Sequence, residues 1–283
     1  MSWLLPLLNL AHQARAAPTL DTPSSKGNPP LVLVNGLAGA ILKGKWTDVH
    51  EPHFWCSKTS KGYETLWLNL EQVVPFQKDC LMNRLVLHYD HTTGAYSNTS
   101  GVDVDSNVDW GGVGGLAYLD PSLGPAKKAT SYFADLIDAL IGVGYHVGKN
   151  LRGAPYDFRY APPSMAGFEA DLKALVEETY AANGHTPVTL VSHSMGCFHA
   201  LFFLEQQSQE WKDAYVHAWI PISPAIGGTI NVVNEGKFAK SPWVTPRMYG
   251  FITNWSTSTD PITDHSMKIL PRFLRSACSS FDS

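Results

Sequence analysis

At 283 residues the chain is long enough for one large α/β domain with a well-buried sheet. Hydrophobic residues make up 44% and charged residues 16%, which is too apolar for a disordered chain. The formal net charge is −4, and no run of Lys or Arg is long enough to track a nucleic-acid backbone, which argues against nucleic acid as a partner.

Met1 to Ala16 reads as a secretory signal, with an apolar stretch beginning at Trp3-Leu4-Leu5-Pro6-Leu7-Leu8 and a small-x-small site at Ala14-Arg15-Ala16. No Lys or Arg precedes the apolar stretch, which keeps a frayed N-terminus as the competing reading. Residues 17–29, rich in Pro and Ser, read as a linker. No other segment approaches the roughly 20 apolar residues that span a bilayer, so no transmembrane helix is expected.

Pro30-Leu31-Val32-Leu33-Val34 is a continuous apolar run ending at Asn35-Gly36, the pattern of a strand buried on both faces of a parallel sheet. The loop Asn35 to Ala40 follows. The stretch around Cys56 to Cys80 is irregular and aromatic, with Trp55, Tyr63, Trp67 and Phe76. Arg84 to Tyr89 reads as a second strand, followed by a Gly- and Asn-rich loop to about Gly115. Ser131 to Val143 has helical periodicity through Phe133, Leu136, Ile137, Leu140 and Ile141, and stops at Gly144. Met165 to Ala182 is a further helix, Val188 to Val191 a buried strand, Gly196 to Gln206 a helix and Ala218 to Ile222 a strand. Strands alternating with helices predict an α/β fold with a mainly parallel sheet. There is no internal repeat, and after about Ile230 the periodicity fades into Ser, Thr and Pro.

The cysteines are Cys56, Cys80, Cys197 and Cys278. None form a Cys-x-x-Cys pair, so no metal site and no cofactor is expected. In an exported protein Cys56 and Cys80 can close a short loop. The sequons Asn98-Thr99-Ser100 and Asn254-Trp255-Ser256 fit the same compartment.

Chemistry concentrates at Ser194. The segment Val188 to Gly196 runs from a strand through Ser192-His193-Ser194-Met195-Gly196 into a helix, the arrangement of a nucleophile elbow. Such a turn needs small residues two positions either side of the nucleophile, here Ser192 and Gly196, so the motif is Ser-x-Ser-x-Gly. The plainer reading is a Ser capping a helix. An elbow also needs an oxyanion hole: the amide of Met195 supplies one donor, and the loop Gly36-Leu37-Ala38-Gly39 supplies the second from Leu37. The plainer reading of that loop is a simple strand-to-helix turn.

Beyond the elbow, the chain resembles the lecithin:cholesterol acyltransferase family, most closely its lysosomal phospholipase branch. The resemblance is carried by Leu31 to Gly36, Trp55-Cys56-Ser57-Lys58, Trp67-Leu68-Asn69-Leu70, Asp79-Cys80, Gly101-Val102-Asp103-Val104, Tyr118 to Ser122, Arg152 to Arg159, Ser192 to Gly196 and Trp211-Lys212-Asp213, in family order. It implies an α/β-hydrolase core over residues 30–230, with an inserted membrane-facing cap and disulfide loop at about 45–130. It also implies Ser194 as nucleophile, Leu37 and Met195 as oxyanion-hole amides, a Cys56–Cys80 disulfide, and Trp67 handling acyl chains. Asp157 and Arg159 match a structural polar pair, and Cys197 a free thiol of the acyltransferase branch.

Two departures accompany the resemblance. The family's Ala-Pro-Trp-Gly-Gly is replaced by Pro224-Ala225-Ile226-Gly227-Gly228, with Ser241-Pro242-Trp243 and Arg247-Met248 following without the lid segment between them. The triad Asp and His of the family lie beyond Ser283, so the reading expects them to be absent and residues 231–283 to be a divergent or truncated tail. Asp213, Asp260 and Asp264, with His217 or His265, are the remaining candidates, and surface polar residues are the simpler account of them. The expected function is a phospholipase or O-acyltransferase, passing a glycerophospholipid acyl group through Ser194 to water, a sterol or another lipid alcohol. The alternative is a catalytically inactive lipid-binding remnant. A membrane-anchored relative that makes triacylglycerol is disfavoured by the Trp67-Leu68-Asn69-Leu70 match. A phospholipid, membrane or lipoprotein surface is the expected partner, a monomer the expected state, and a secreted or lysosomal protein the expected location.

Overall fold

The structure is a computed structural model and describes residues 27–90, 92–160, 162 and 164–224. The signal at 1–16, most of the linker, the tail at 231–283, Asn254, Cys278, Asp260, Asp264 and His265 lie outside the described residues.

In chain order the elements are β1 (Leu31–Val34), β2 (Leu42–Trp46), β3 (Glu64–Trp67), α1 (Lys78–Leu85), β4 (Leu87–Asp90), β5 (Ala95–Asn98), β6 (Val102–Asp105), α2 (Gly114–Ala117), a 3-10 segment (Pro121–Thr130), α3 (Ala134–Gly142), β7 (Leu151–Ala154), α4 (Ala166–Ala182), β8 (Val188–His193), α5 (Gly196–Glu205), α6 (Gln209–Tyr215) and β9 (Val216–Ile222). The main sheet has the order β7-β1-β8-β9, and every pairing in it is parallel. Because β1 is hydrogen-bonded on both edges and covered on both faces, all four of its residues are buried, which is why its sequence is unbroken apolar. Alternate residues feed two cores. Val32, Val34 and Leu190 pack with Phe168, Leu172, Leu175 and Val176 of α4 and Phe203 and Leu204 of α5. Leu31, Leu33, Leu151 and Val191 pack with Phe133 and Ile137 on the α3 side. Helices on both faces of a parallel sheet make the α/β architecture expected from the alternating pattern.

The stretch between β1 and β7 is richer than its sequence indicates. Residues 84–89 do not form one strand: Arg84 and Leu85 end α1, and β4 pairs antiparallel with β5 as a hairpin instead of joining the main sheet. The Arg84 guanidinium is the reason, since it is buried against Glu51 at 2.8 Å and lies over the Trp46 ring. The expected loop to Gly115 also contains β5, β6 and α2, and β6 joins β2 and β3 in an antiparallel sheet. Cys56 and Cys80 are bonded, tying the segment after β2 to α1. No helix among the described residues is long and apolar enough to cross a membrane.

An outer strand of the main sheet, β7, reads Leu-Arg-Gly-Ala and carries no apolar run. Its polar member is accommodated locally: Arg152 Nε donates to the Gly111 carbonyl at 2.6 Å and its guanidinium reaches Glu178 at 3.2 Å. The Gly111 amide donates to the Gly153 carbonyl at 2.9 Å, and a Cβ on Gly153 would stand 2.4 Å from the Gly112 carbonyl oxygen, so this loop closes the strand's outer edge.

Candidate active site

At the C-terminal end of β8 the chain turns sharply at Ser194, whose φ is +53°. That is the left-handed region, which a side chain adopts at a cost. The turn is fixed from both sides: the Ser194 amide donates to the Ile222 carbonyl at 2.9 Å, and its carbonyl accepts from Cys197 N at 3.1 Å as α5 begins. Gly196 is obligatory, because a Cβ there would lie 2.0 Å from the Asn35 carbonyl oxygen. Ser192, at the other small position, is fully buried and satisfied. Its hydroxyl accepts from Trp219 Nε1 at 2.8 Å and donates to Cys197 Sγ at 3.2 Å. The Ser-x-Ser-x-Gly variant thus has a partner on each side of its extra hydroxyl. Cys197 is free and buried, and burial pushes its thiol pKa up.

The loop after β1 lies against this turn. A Cβ on Gly36 would stand 2.9 Å from both the His193 carbonyl oxygen and Ser194 Cβ. The loop is pinned at successive atoms: Asn35 Nδ2 and Gly39 N donate to the Gly36 carbonyl at 3.0 and 3.1 Å, and Trp67 Nε1 donates to the Ala38 carbonyl at 2.8 Å. Asn35 is itself fully buried and accepts from Tyr156 N at 3.2 Å. The amides of Leu37 and Met195 donate to no group among the described residues. Sequence reasoning selected both residues and Trp67, but not the bond that joins Trp67 to the loop. It also missed Asn35, whose only signal was its place directly after the buried strand.

Tyr132 was missed altogether. Its hydroxyl accepts from Gly36 N at 2.7 Å and meets His193 Nδ1 at 2.6 Å. Burial lifts the Tyr132 pKa to about 12 and depresses that of His193, so both are neutral at neutral pH. The phenol proton has no other acceptor among the described residues, so it goes to His193 Nδ1. The network therefore assigns the His193 proton to Nε2, leaving that atom a donor and unable to take a proton from Ser194.

No carboxylate or imidazole among the described residues hydrogen-bonds to the Ser194 hydroxyl. Asp213 is exposed on α6 and accepts from Gln209 Nε2 at 2.7 Å, while His217 is exposed on β9. Asp157 and Arg159 form a buried bidentate pair at 2.6 to 3.1 Å, with Arg159 also donating to the Leu85 carbonyl at 3.2 Å. That uses both carboxylate oxygens in holding β7's exit to α1.

The lecithin:cholesterol acyltransferase family model matches residues 63–250. The chain is 38% identical to mouse lysosomal phospholipase A and acyltransferase over 246 residues, which is 86% of this chain and 57% of that protein. Against the human protein of that name it is 38% identical over 222 residues, covering 77% and 53%. Human phosphatidylcholine-sterol acyltransferase is 32% identical over 224 residues, covering 79% and 49%. The chain spans about half the length of the curated relatives it matches.

Proposed function

The chain belongs to the lecithin:cholesterol acyltransferase family, and from that premise we propose that it is a serine-dependent lipid acyl hydrolase or O-acyltransferase. The observation that carries the reading is Ser194 at the tip of a strained strand-to-helix turn, beside a pinned loop, with the Leu37 and Met195 amides donating to no group among the described residues. The Ser194 oxygen attacks the acyl carbonyl of a glycerophospholipid ester, and the two amides hold the oxyanion that forms. Collapse of that intermediate expels the lysophospholipid oxygen, which takes up the proton that Ser194 gives up, and leaves an acyl-Ser194 ester. Water or a lipid alcohol then adds to the ester carbonyl, its proton passes to the departing Ser194 oxygen, and free Ser194 is restored. In this reading Trp67 lines the acyl path. The segment at about 45–130 is the cap, which carries the disulfide loop toward the lipid surface. A secreted or lysosomal location is supported by the Cys56–Cys80 disulfide and by relatives named as lysosomal.

The test is a fluorophosphonate probe on the folded 283-residue chain. Stoichiometric labelling that disappears in Ser194→Ala is expected. A folded chain that takes no label would sink the enzymatic reading and leave lipid binding without catalysis.

A further inference from the structure

The two amides assigned above belong to different chain segments, Leu37 to the loop after β1 and Met195 to the turn after β8. The sheet and the contacts around these segments set their separation. One side chain bonds to both segments at once. We propose that Tyr132 is a positioning residue that ties these segments together, its hydroxyl bridging Gly36 N and His193 Nδ1 so that the Leu37 amide is held in register with Met195.

This rests on the reading of Ser194, Leu37 and Met195 given above. A trans peptide points its N–H opposite to its C=O, so the Leu37 amide direction is set by whatever holds the Gly36 carbonyl. Asn35 Nδ2 and Gly39 N hold that carbonyl, and the Tyr132 hydroxyl holds the preceding N–H of the same residue. Gly36 is thus gripped on both its polar atoms. The other end of the bridge is His193, the residue before Ser194 and two before Met195. The Tyr132 ring adds a surface: a Cβ on Gly39 would stand 2.4 Å from its Cζ, so the loop backbone lies directly on the ring. The neutral phenol and neutral imidazole keep the donor order running Gly36 to Tyr132 to His193.

Tyr132→Phe keeps the ring under Gly39 and deletes only the bridging oxygen. On the full chain, saturation labelling by a fluorophosphonate is expected to lose about tenfold to a hundredfold in maximal rate, with the half-saturating probe concentration unchanged. In ¹⁵N spectra the His193 Nδ1 resonance is expected to shift as its donor disappears. His193→Asn, which keeps an acceptor at the δ position, is expected to recover most of the rate that His193→Leu loses, and this pair decides the matter if Tyr132→Phe does not fold. A Tyr132→Phe chain labelled at the wild-type maximal rate would overturn the proposal. If the wild-type chain takes no label, the reading of Ser194 falls. The tie is then judged by the Leu37 amide resonance, whose failure to move in Tyr132→Phe overturns it and whose shift supports it.

Discussion

The φ of +53° at Ser194 is a local cost that the surroundings hold in place: the bond to Ile222 on one side, and the contact of Gly196 with the Asn35 carbonyl on the other. Glycine adopts this conformation without a Cβ penalty. Ser194→Gly is therefore expected to be more stable than Ser194→Ala by about 0.5–1 kcal/mol in urea unfolding, although both lose the hydroxyl. Equal stabilities would show that the side chain bears no strain at this turn. Ser194 is visible in the sequence because a buried strand, a small-residue turn and a helix leave a local pattern. What supports it is not local. Trp219 reaches Ser192 from 27 residues away and Tyr132 reaches His193 from 61 residues away, and neither spacing leaves a trace that periodicity can find.

Among the elements, β1 and β8 are legible because two-sided burial writes unbroken apolar runs, and α3 and α4 because one face of each is apolar. Strand β7 is not, since the loop at 111–112 takes over satisfaction of Arg152 and leaves no room for a side chain at 153. The segment 84–89 misleads for the opposite reason: its apolar alternation suits a strand, but Arg84 is drawn into α1 by Glu51 and Trp46. The disulfide binds this region across a separation of 24 residues. Replacing both Cys56 and Cys80 by Ser is expected to lower stability by about 3 kcal/mol, chiefly by releasing the unfolded chain. A reducing agent should bring the wild-type protein to the same urea midpoint and leave the variant unmoved. Coincident midpoints for oxidised wild type and variant would rule out a stabilising link.

On the scale of the molecule, the two most exposed large apolar side chains among the described residues lie at the disulfide loop. Phe54 is 94% exposed, Phe76 76% and Trp55 44%, and the Trp55 indole N–H donates to the Phe76 carbonyl at 2.8 Å, which brings the two sides of the disulfide loop together. Isolated apolar side chains at a surface are ordinary, whereas aromatics gathered on one loop fit the lipid-facing role proposed above. Phe54→Ser combined with Phe76→Ser is expected to weaken sedimentation with phosphatidylcholine vesicles by about tenfold, while stability stays within about 0.5 kcal/mol of wild type. Unchanged vesicle binding would remove these residues from the proposed lipid-facing surface. The order β7-β1-β8 has a further consequence, for biosynthesis. Leu31 pairs with Leu151 and Thr189, roughly 120 and 160 residues further along, so the most apolar strand of the sheet is translated long before either neighbour. The antiparallel β2-β3-β6 sheet, whose partners are closer in the chain, can assemble while Leu31 to Val34 still waits on the ribosome. Those four residues are then an apolar segment that the nascent chain must keep shielded until β7 and β8 are made.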